Sequence, residues 1–335
     1  MTIEPPPADG SGTGTTGPLV SILVLTWNHE AYIRASLESM LAESYRNIEI
    51  IVCENGSSDG TWAELQRIVA EHPDRAIAIY QNPPGTKVTV GFNSLIARAQ
   101  GELLCFFSGD DLFHGDRLAR QVEAFQDNPD LEIVYSNGRF LGGRKDGELV
   151  HDEARFEEVF RLEPEGVLRF VFSNRGMMIQ TLMARRPLIE AVGGFDETEL
   201  ADDWILNIRI FGHLTRRSQY AFLPLVSFLY RQHDNNAYKN FPRQSRLMLG
   251  VIDKYYHFDD RETEIAKMYY FQANVGAMYG FQHLGMTLGY LKEALRRQFR
   301  PRDLVMFPLR FAGAPGLRLY RRLRAAMRPA GRQAS

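Results

Sequence analysis

The chain has 335 residues, 44% of them hydrophobic and 24% charged, a composition that excludes a disordered chain and suits a globular protein with a sizeable core. Its net charge of −2 is uneven, since the part from Arg296 to the end carries +10 and leaves −12 for residues 1–295. No apolar run reaches the roughly 18 residues of a membrane span, and no secretory signal pattern is seen, so we expect a cytoplasmic protein. Cys53 and Cys105 end apolar runs and are expected to be reduced core residues.

The first 17 residues are rich in Pro, Gly and Thr and predict a disordered leader. Beyond them, short apolar runs alternate with stretches of helical periodicity. The expected strands are 20–26, 48–53, 76–80 and 103–107, and the expected helices between them are 30–43, 61–71 and 91–100. Continuous apolar strands that alternate with helices are typical of parallel strands covered on both faces. We therefore predict an open α/β sheet, which binds ligands at the carboxyl ends of its strands.

The same alternation continues more irregularly along the rest of the chain. Further strands are expected at 131–137 and 178–184, and further helices at 164–173 and 202–212. A helical pattern with aromatic residues on one side follows. The predicted organisation is a leader over 1–17, an α/β domain over 18–240, a helical extension over 241–298 and an Arg-rich amphipathic tail over 299–335.

Polar and acidic residues follow three of the predicted strands. The first strand ends in residues 26–30, the second in 54–59 and the fourth in 108–111. Because parallel strand ends meet at one edge of a sheet, three such endings favour a binding site over three unrelated turns. The Gly-rich phosphate loops of nucleotide-binding folds are missing. The adjacent carboxylates Asp110 and Asp111 instead predict a divalent cation shared with the phosphates of a substrate.

Five segments in this order resemble the family 2 glycosyltransferases, enzymes of the GT-A fold. They are VSILVLTWNHEAYIRASLESML, IEIIVCENGSSDGTW, FFSGDDLF, GGFDETELADDWILNIRIFG and LYRQHDNN, and together they cover roughly residues 18 to 240. The resemblance implies a GT-A domain, with an open, mostly parallel sheet and helices on both faces, followed by a helical C-terminal extension. It also implies an inverting transfer of sugar from a nucleotide-diphosphate sugar, most simply a UDP-sugar, to an acceptor hydroxyl.

The resemblance assigns the nucleotide-sugar site to the first strand ends. Thr26 and Asn28 would line the base pocket, where Glu54 would hydrogen-bond the base. Asp59 would shape that loop and contact the base or the ribose. Asp110 and Asp111 would complete the site on the diphosphate side.

The resemblance also implies a bound Mn²⁺ or Mg²⁺. Asp110 matches the last residue of the family's D-x-D motif, Asp111 follows it, and His233 matches a histidine that contacts metal or diphosphate in some relatives. Ser108 stands where the motif has its first aspartate. His29 receives no functional assignment from the sequence.

Asp203 is the predicted catalytic base, because it matches the second acid of the family's acidic pair at a helix start. Acids at a first helical turn also interact favourably with the helix dipole, so helix capping is the structural alternative. Asp202, the first acid of the pair, is assigned either to acceptor contact or to the cap.

Two other functions are compatible with parts of the sequence. A sugar-nucleotide-binding protein without catalysis would account for Ser108 but has no need of a base at Asp203. A nucleotidyltransferase also uses an α/β sheet and a metal, but we would expect a basic Gly-rich loop early in its chain.

The Arg-rich tail suggests a partner with negative charge. Its mixture of Arg with Leu, Phe and Tyr favours contact with the inner face of a membrane over nucleic acid, for which no binding module accompanies it. Packing on its own domain is the alternative. A glycan or lipid-linked acceptor, used in the synthesis of a surface polysaccharide or glycolipid, would suit a membrane-bound tail.

Overall fold

A computed structural model describes residues 2–3, 17–173, 177–198, 203–233, 241–278 and 283–297. The chain divides into two compact units, Met1–Asn236 and Ala237–Ser335. The described residues form one nine-stranded sheet, all in the first unit. Its strands are β1 (Thr2–Ile3), β2 (Val20–Thr26), β3 (Ile48–Glu54), β4 (Ile77–Gln81), β5 (Leu103–Ser108), β6 (Leu112–Phe113), β7 (Ile133–Leu141), β8 (Met183–Arg185) and β9 (Tyr220–Arg231).

Helices flank the sheet in the first unit. They are α1 (Ile33–Leu41), α2 (Thr61–Glu71), α3 (Val88–Ile96), α4 (Arg117–Asp127), α5 (Glu153–Val159), α6 (Pro164–Ser173), α7 (Arg186–Ala191) and α8 (Asp203–His213). Three of the predicted helices are confirmed with nearly unchanged bounds: α2, α6 and α8.

The first half of the sheet is parallel, in the order β4-β3-β2-β5. Every residue of β2 and β3 is buried, because helices cover both faces, and this explains their continuous apolar runs. The predicted strands 20–26, 48–53, 76–80 and 103–107 are all confirmed to within one residue at either end.

The second half of the sheet is mixed and follows the order β5-β8-β7-β9-β6. β8 is antiparallel to β5 and β7, β9 runs parallel to β7, and β6 pairs antiparallel with β9. The predicted strand 178–184 is mostly wrong, because Ile179–Thr181 forms a 3₁₀ turn and only the last two residues of the predicted strand belong to β8.

The pairing of β7 with β9 depends on Gly138. A register irregularity lies beside it, and a Cβ at this position would stand 2.0 Å from the Phe228 ring of β9. Glycine thus permits the close approach of the two strands. β9 then pairs through Leu229 with Leu112 of β6, which follows directly after the acidic pair. This topology brings the end of β9 to the end of β5.

The described part of the second unit is helical, as predicted, with α9 (Phe241–Tyr255), α10 (Arg261–Met278) and α11 (Leu284–Arg297). Ala273 and Ala277 of α10 pack against Tyr290 and Leu291 of α11. Among the helices described here, none is long and apolar enough to cross a membrane. The predicted tail over 299–335, and the predicted leader apart from residues 2–3 and 17, lie outside the described residues.

Candidate active site

The polar residues that follow β2, β3 and β5 lie at one edge of the sheet. β2 is the central strand of the three, with Thr26 opposite Glu54 of β3 and Leu25 opposite Ser108 of β5. Because all three strands are parallel, their carboxyl ends point the same way. The sequence prediction that these endings converge is confirmed by this register.

Asn28 joins the loop after β2 to the loop after β3. Its backbone N–H donates to Ser57 Oγ at 2.8 Å, and its side-chain Oδ1 accepts from the N–H of Ser58 at 2.9 Å. Its φ of 53° lies in the left-handed region, which Asn tolerates better than most residues. Asn28 therefore helps to fix the path of the loop, in addition to its predicted place in the base pocket.

Asp59 is held inside the same junction. One carboxylate oxygen accepts from the N–H and the hydroxyl of Thr61, at 3.0 and 2.5 Å, and the other accepts from the N–H of Glu30 at 3.2 Å. Burial raises the pKa of Asp59, but these hydrogen bonds outweigh it and leave the pKa below its usual value. The bonds show how Asp59 shapes the loop.

Glu54 is fully buried at the end of β3. Its carboxylate accepts from the N–H of Ser57 at 2.5 Å and from Gln81 Nε2 at 3.0 Å. The hydroxyl of Thr26, also buried, lies 3.2 Å from Nδ1 of His29. The predicted nucleotide residues on this side thus belong to one connected set of loops.

A second cluster forms where β5 and β9 end. Oδ2 of Asp110 lies 2.9 Å from Nε2 of His233 and 3.7 Å from Nε2 of His29, and Oδ1 accepts a hydrogen bond from the hydroxyl of Ser108. One ligand atom from each of His29, Asp110 and His233 lies within 4.8 Å of the others. We call these three residues the Asp110 cluster.

Burial and charge act in opposite directions on the Asp110 cluster. Burial raises the pKa of Asp110, but the charge of His29 and the hydrogen bonds from His233 and Ser108 bring it below the usual value. Burial lowers the pKa of His29, although the charge of Asp110 acts in the opposite direction. An ionised carboxylate beside a neutral imidazole is the state in which both can bind a cation.

Asp111, the next residue, has different partners. It is fully buried, one oxygen accepts from the N–H of Arg231 at 2.9 Å, and the other lies 3.5 Å from Nε2 of Gln180. Burial and the neighbouring charge of Asp110 raise its pKa well above the usual value. Asp111 ties β9 to the loop after β5, and its predicted role as a metal ligand stays a prediction.

Aromatic contacts hold His233 in place. Its ring stacks on Tyr32, with centroids 5.4 Å apart and planes at 23°, and the guanidinium of Arg231 lies 5.0 Å from the centre of the same tyrosine ring. Nε of Arg231 also donates to the backbone oxygen of Asp110 at 2.9 Å. The end of β9 is thus fixed against the acidic loop.

Asp203 begins α8 and is connected to the acidic loop through one turn. Its carboxylate accepts from the N–H of Ile179 at 3.3 Å, and Gln180, the next residue, contacts Asp111. Burial, and then the charge of Asp203, raise the pKa of Tyr135 well above its usual value. Asp202 lies outside the described residues.

The two tryptophans near the predicted site differ in environment. Trp204 is buried, and its indole N–H donates to the backbone oxygen of Val171, so it belongs to the core. Trp27, in the loop after β2, is 54% exposed. Only Trp27 is therefore accessible to a ligand.

The Asp110 cluster has the donors that a divalent cation needs. It combines one carboxylate oxygen with two imidazole nitrogens, a set that Mn²⁺, Zn²⁺ and related ions accept. His29 was missed from the sequence because a lone histidine after a strand has no distinctive spacing. The available signal was its position in the strand-end group that also contains Thr26 and Asn28.

The sequence is similar to those of known glycosyltransferases. The sequence profile described as "Glycosyl transferase family 2" matches residues 21–190. The putative glycosyltransferase EpsE of Bacillus subtilis is 32% identical over 119 residues, which are 36% of this chain and 42% of EpsE, so the match spans less than half of that relative. An Escherichia coli protein, UDP-Glc:alpha-D-GlcNAc-diphosphoundecaprenol beta-1,3-glucosyltransferase WfaP, is 25% identical over 71% of this chain and 89% of its own length.

Solved structures show the same fold. S. aureus TarS 1-349 in complex with UDP-GlcNAc superposes with a TM-score of 0.61 at 16% identity, covering 90% of this chain and 89% of the TarS 1-349 chain. Mannosyltransferase PcManGT from Pyrobaculum calidifontis, in complex with GDP-Man and Mn²⁺, superposes with a TM-score of 0.60 at 18% identity, covering 93% of this chain and 84% of the PcManGT chain. The predicted GT-A fold is confirmed.

Proposed function

The chain belongs to glycosyl transferase family 2 and is a glycosyltransferase, and from this premise we propose that it moves a sugar from a nucleotide-diphosphate sugar to an acceptor hydroxyl with inversion at the anomeric carbon. The observation that carries the proposal is the meeting of the nucleotide-side loops with the Asp110 cluster at one sheet edge. A nucleoside and a diphosphate need such neighbouring sites.

The donor would bind along this edge. The loops tied together by Asn28 and Asp59 form the nucleoside side, where Glu54 and Thr26 lie. Names of relatives favour a uridine nucleotide, since TarS is seen with UDP-GlcNAc and WfaP is named for UDP-Glc, whereas PcManGT is seen with GDP-Man. We therefore propose a UDP-sugar as the donor.

Asp110 and His233 would hold Mn²⁺ or Mg²⁺ at the diphosphate side, because their ligand atoms already lie 2.9 Å apart. When bound, such a cation stabilises the charge that grows on a leaving diphosphate. Arg231 fixes the Asp110 loop through the backbone of Asp110, so the carboxylate is positioned before the donor arrives. Preorganisation of this kind lowers the cost of reaching the transition state.

Asp203 would act as general base, accepting the proton of the acceptor hydroxyl as the new glycosidic bond forms. Its carboxylate accepts from the N–H of Ile179, and the next residue, Gln180, contacts Asp111 in the acidic loop, which supports a position near the proposed diphosphate site. A single displacement needs no enzyme nucleophile, and it inverts the anomeric centre. A beta linkage, as in the name of WfaP, is what inversion at an α-linked donor would give. Asp202 would contact the acceptor or cap α8.

The acceptor would be a glycan or a lipid-linked glycan in the synthesis of a surface polysaccharide or glycolipid. WfaP is named for a diphosphoundecaprenol-linked acceptor, which is a membrane lipid. The Arg-rich tail over 299–335 would bring a cytoplasmic enzyme to the anionic inner face of the membrane. Sedimentation with anionic but not neutral liposomes at low salt tests this part, and equal sedimentation with both would contradict it.

The transfer itself is tested with a panel of nucleotide sugars in Mn²⁺ or Mg²⁺, by measuring the release of nucleoside diphosphate. Asp203→Asn should keep donor binding and lower turnover about 100- to 10,000-fold, the usual contribution of general base catalysis. Asp127→Asn, an exposed aspartate at the end of α4, is the control and should change neither. Full turnover in Asp203→Asn would show that Asp203 is not the general base. If the unaltered protein binds the donor but releases no nucleoside diphosphate, the alternative of a sugar-nucleotide-binding protein without catalysis is favoured.

A further inference from the structure

We propose that His29 is the third protein ligand of the cation, so that the site has two imidazoles and one carboxylate and selects Mn²⁺ and other transition-metal ions over Mg²⁺. The inference rests on the proposed function, which needs only some cation at Asp110 and His233. It is carried by the positions of His29 and Ser108.

His29 is oriented for ligation by contacts on its other side. Its Nδ1 lies 3.2 Å from the hydroxyl of Thr26, and its backbone N–H donates to Thr61 Oγ1 at 2.9 Å. The remaining ring nitrogen, Nε2, lies 3.7 Å from Oδ2 of Asp110, beyond a direct hydrogen bond but within the space that two ligands of one ion share. A hydrogen bond at one ring nitrogen commonly fixes the tautomer and orientation of a histidine ligand.

The same Asp110 oxygen faces both imidazoles. Oδ2 lies 3.7 Å from Nε2 of His29 and 2.9 Å from Nε2 of His233, while Oδ1 accepts from the Ser108 hydroxyl. The rings of the two histidines meet nearly edge to face, with centroids 6.4 Å apart and planes at 76°. Two ring nitrogens and Oδ2 therefore surround one point at the carboxyl end of β5.

Ser108 explains why a second imidazole is needed. It stands at the position where the D-x-D motif has its first carboxylate, and it supplies a hydroxyl that orients Asp110 instead. The side chains of His29 and His233 are each 14% exposed, so both are well shielded from water but accessible from the ligand edge. The chain has replaced one oxygen ligand by a nitrogen from the neighbouring strand end.

This replacement changes which ions the site prefers. Mg²⁺ takes oxygen ligands in a strict octahedron and releases its water reluctantly, whereas imidazole suits the first-row transition ions. Two imidazoles beside one carboxylate thus weaken the competition of Mg²⁺ with Mn²⁺. Removing one imidazole should therefore reduce the difference between the affinities for Mn²⁺ and Mg²⁺.

The direct test counts the imidazole nitrogens on Mn²⁺ in the complete protein. Protein labelled with ¹⁵N-histidine, loaded with Mn²⁺ and UDP, is measured by electron spin-echo envelope modulation. We expect coupling to two imidazole nitrogens in the unaltered protein, to one in His29→Gln and in His233→Gln, and to two in His114→Gln, a control on an exposed histidine. A single coupled nitrogen in the unaltered protein overturns the inference without any variant.

Affinity measurements give the second readout. In His29→Gln we expect Mn²⁺ to bind at least about 10-fold more weakly, the lower bound for loss of even an outer partner of a metal ligand, with Mg²⁺ affinity changed much less. An unchanged ratio of Mn²⁺ to Mg²⁺ affinity overturns the inference. If the ratio is unchanged in His29→Gln but Asp110→Ala loses cation binding, the proposed function still stands. If Asp110→Ala binds the cation and UDP as well as the unaltered protein does, the proposed function itself is contradicted.

Discussion

Asp59, after β3, and Asp110, after β5, occupy similar places in the sheet but have different surroundings. The oxygens of Asp59 accept from backbone N–H groups and from the hydroxyl of Thr61, all within its own junction of loops. Oδ2 of Asp110 instead faces the ring nitrogens of His29 and His233. A carboxylate that accepts hydrogen bonds from backbone N–H groups stabilises the conformation of a loop. A carboxylate whose oxygen faces other potential ligand atoms is placed to bind a cation with them.

The difference recurs between Asp110 and its neighbour. Asp111 accepts from the N–H of Arg231 and is fully buried, so it resembles Asp59 in using backbone donors. The two adjacent acids therefore differ in their contacts. Asp111 bonds to the backbone of β9, whereas Asp110 faces His29 and His233. Substitutions at these positions should separate loop building from ligand binding.

The largest effect is expected from Asp110→Ala. Loss of the carboxylate removes the proposed anchor of the cation, which would supply several kcal/mol of transition-state stabilisation. We expect release of nucleoside diphosphate to fall at least about 1,000-fold, since each 1.36 kcal/mol is tenfold in rate. Steady-state assays at saturating Mn²⁺ measure this, and thermal unfolding shows whether the fold persists. Recovery of normal rates by added Mn²⁺ alone would contradict the assignment.

A smaller effect is expected at Asn28, where two substitutions separate backbone from side chain. Asn28→Gly permits the φ of 53° but loses the bond to Ser58, whereas Asn28→Ala loses the bond and must also bear a left-handed backbone. That conformation costs about 1–2 kcal/mol. We expect donor binding, measured by calorimetry, to weaken in both and about 10-fold further in Asn28→Ala. Equal affinities of the two variants would show that the loop path does not depend on this residue.

Asp59→Ala should affect stability more than chemistry. It removes the acceptor of the Thr61 N–H at the start of α2 and the acceptor of the Glu30 N–H in the loop after β2, a loss comparable to that of a helix cap, about 0.5–2 kcal/mol. Urea unfolding measures the free energy of unfolding. Asp59→Asn, which keeps one acceptor oxygen, serves as the matched variant and should lose less. A large fall in turnover with full stability would instead place Asp59 in contact with the donor.

The smallest effect is expected from Asp111→Asn. The amide oxygen can still accept from Arg231, and the neutral side chain avoids a second buried charge beside Asp110. We expect Mn²⁺ affinity and turnover to change by no more than about threefold, or 0.7 kcal/mol. A loss as large as that of Asp110→Ala would support the sequence prediction that both acids bind the metal.

The sequence was most informative where each strand is buried on both faces. Continuous apolar runs with helices between them define β2 to β5 almost residue by residue, because burial imposes the pattern locally. Helix α4 was missed, since its buried face includes Arg117 and Gln121, whose polarity conceals the apolar stripe. Buried polar side chains with specific partners cannot be read from periodicity alone.

The site was predicted in part for a similar reason. Strand ends of parallel neighbours converge by topology, so Thr26, Glu54 and Asp110 could be grouped in advance. The approach of His233 to Asp110 and the bond between Arg231 and Asp111 depend on β9, which pairs closely with β7 at Gly138. Such long-range pairings leave no local pattern in the sequence.

The account rests most directly on where a cation and a nucleoside diphosphate lie in the protein. The deciding measurement is a crystal structure with Mn²⁺ and UDP, with anomalous differences recorded at the manganese edge. We expect one strong peak in contact with Asp110 and His233 and with both phosphates, and the uracil beside Glu54 and Asn28. A manganese peak elsewhere, or UDP bound without contact to the Asp110 cluster, would contradict the proposed active site.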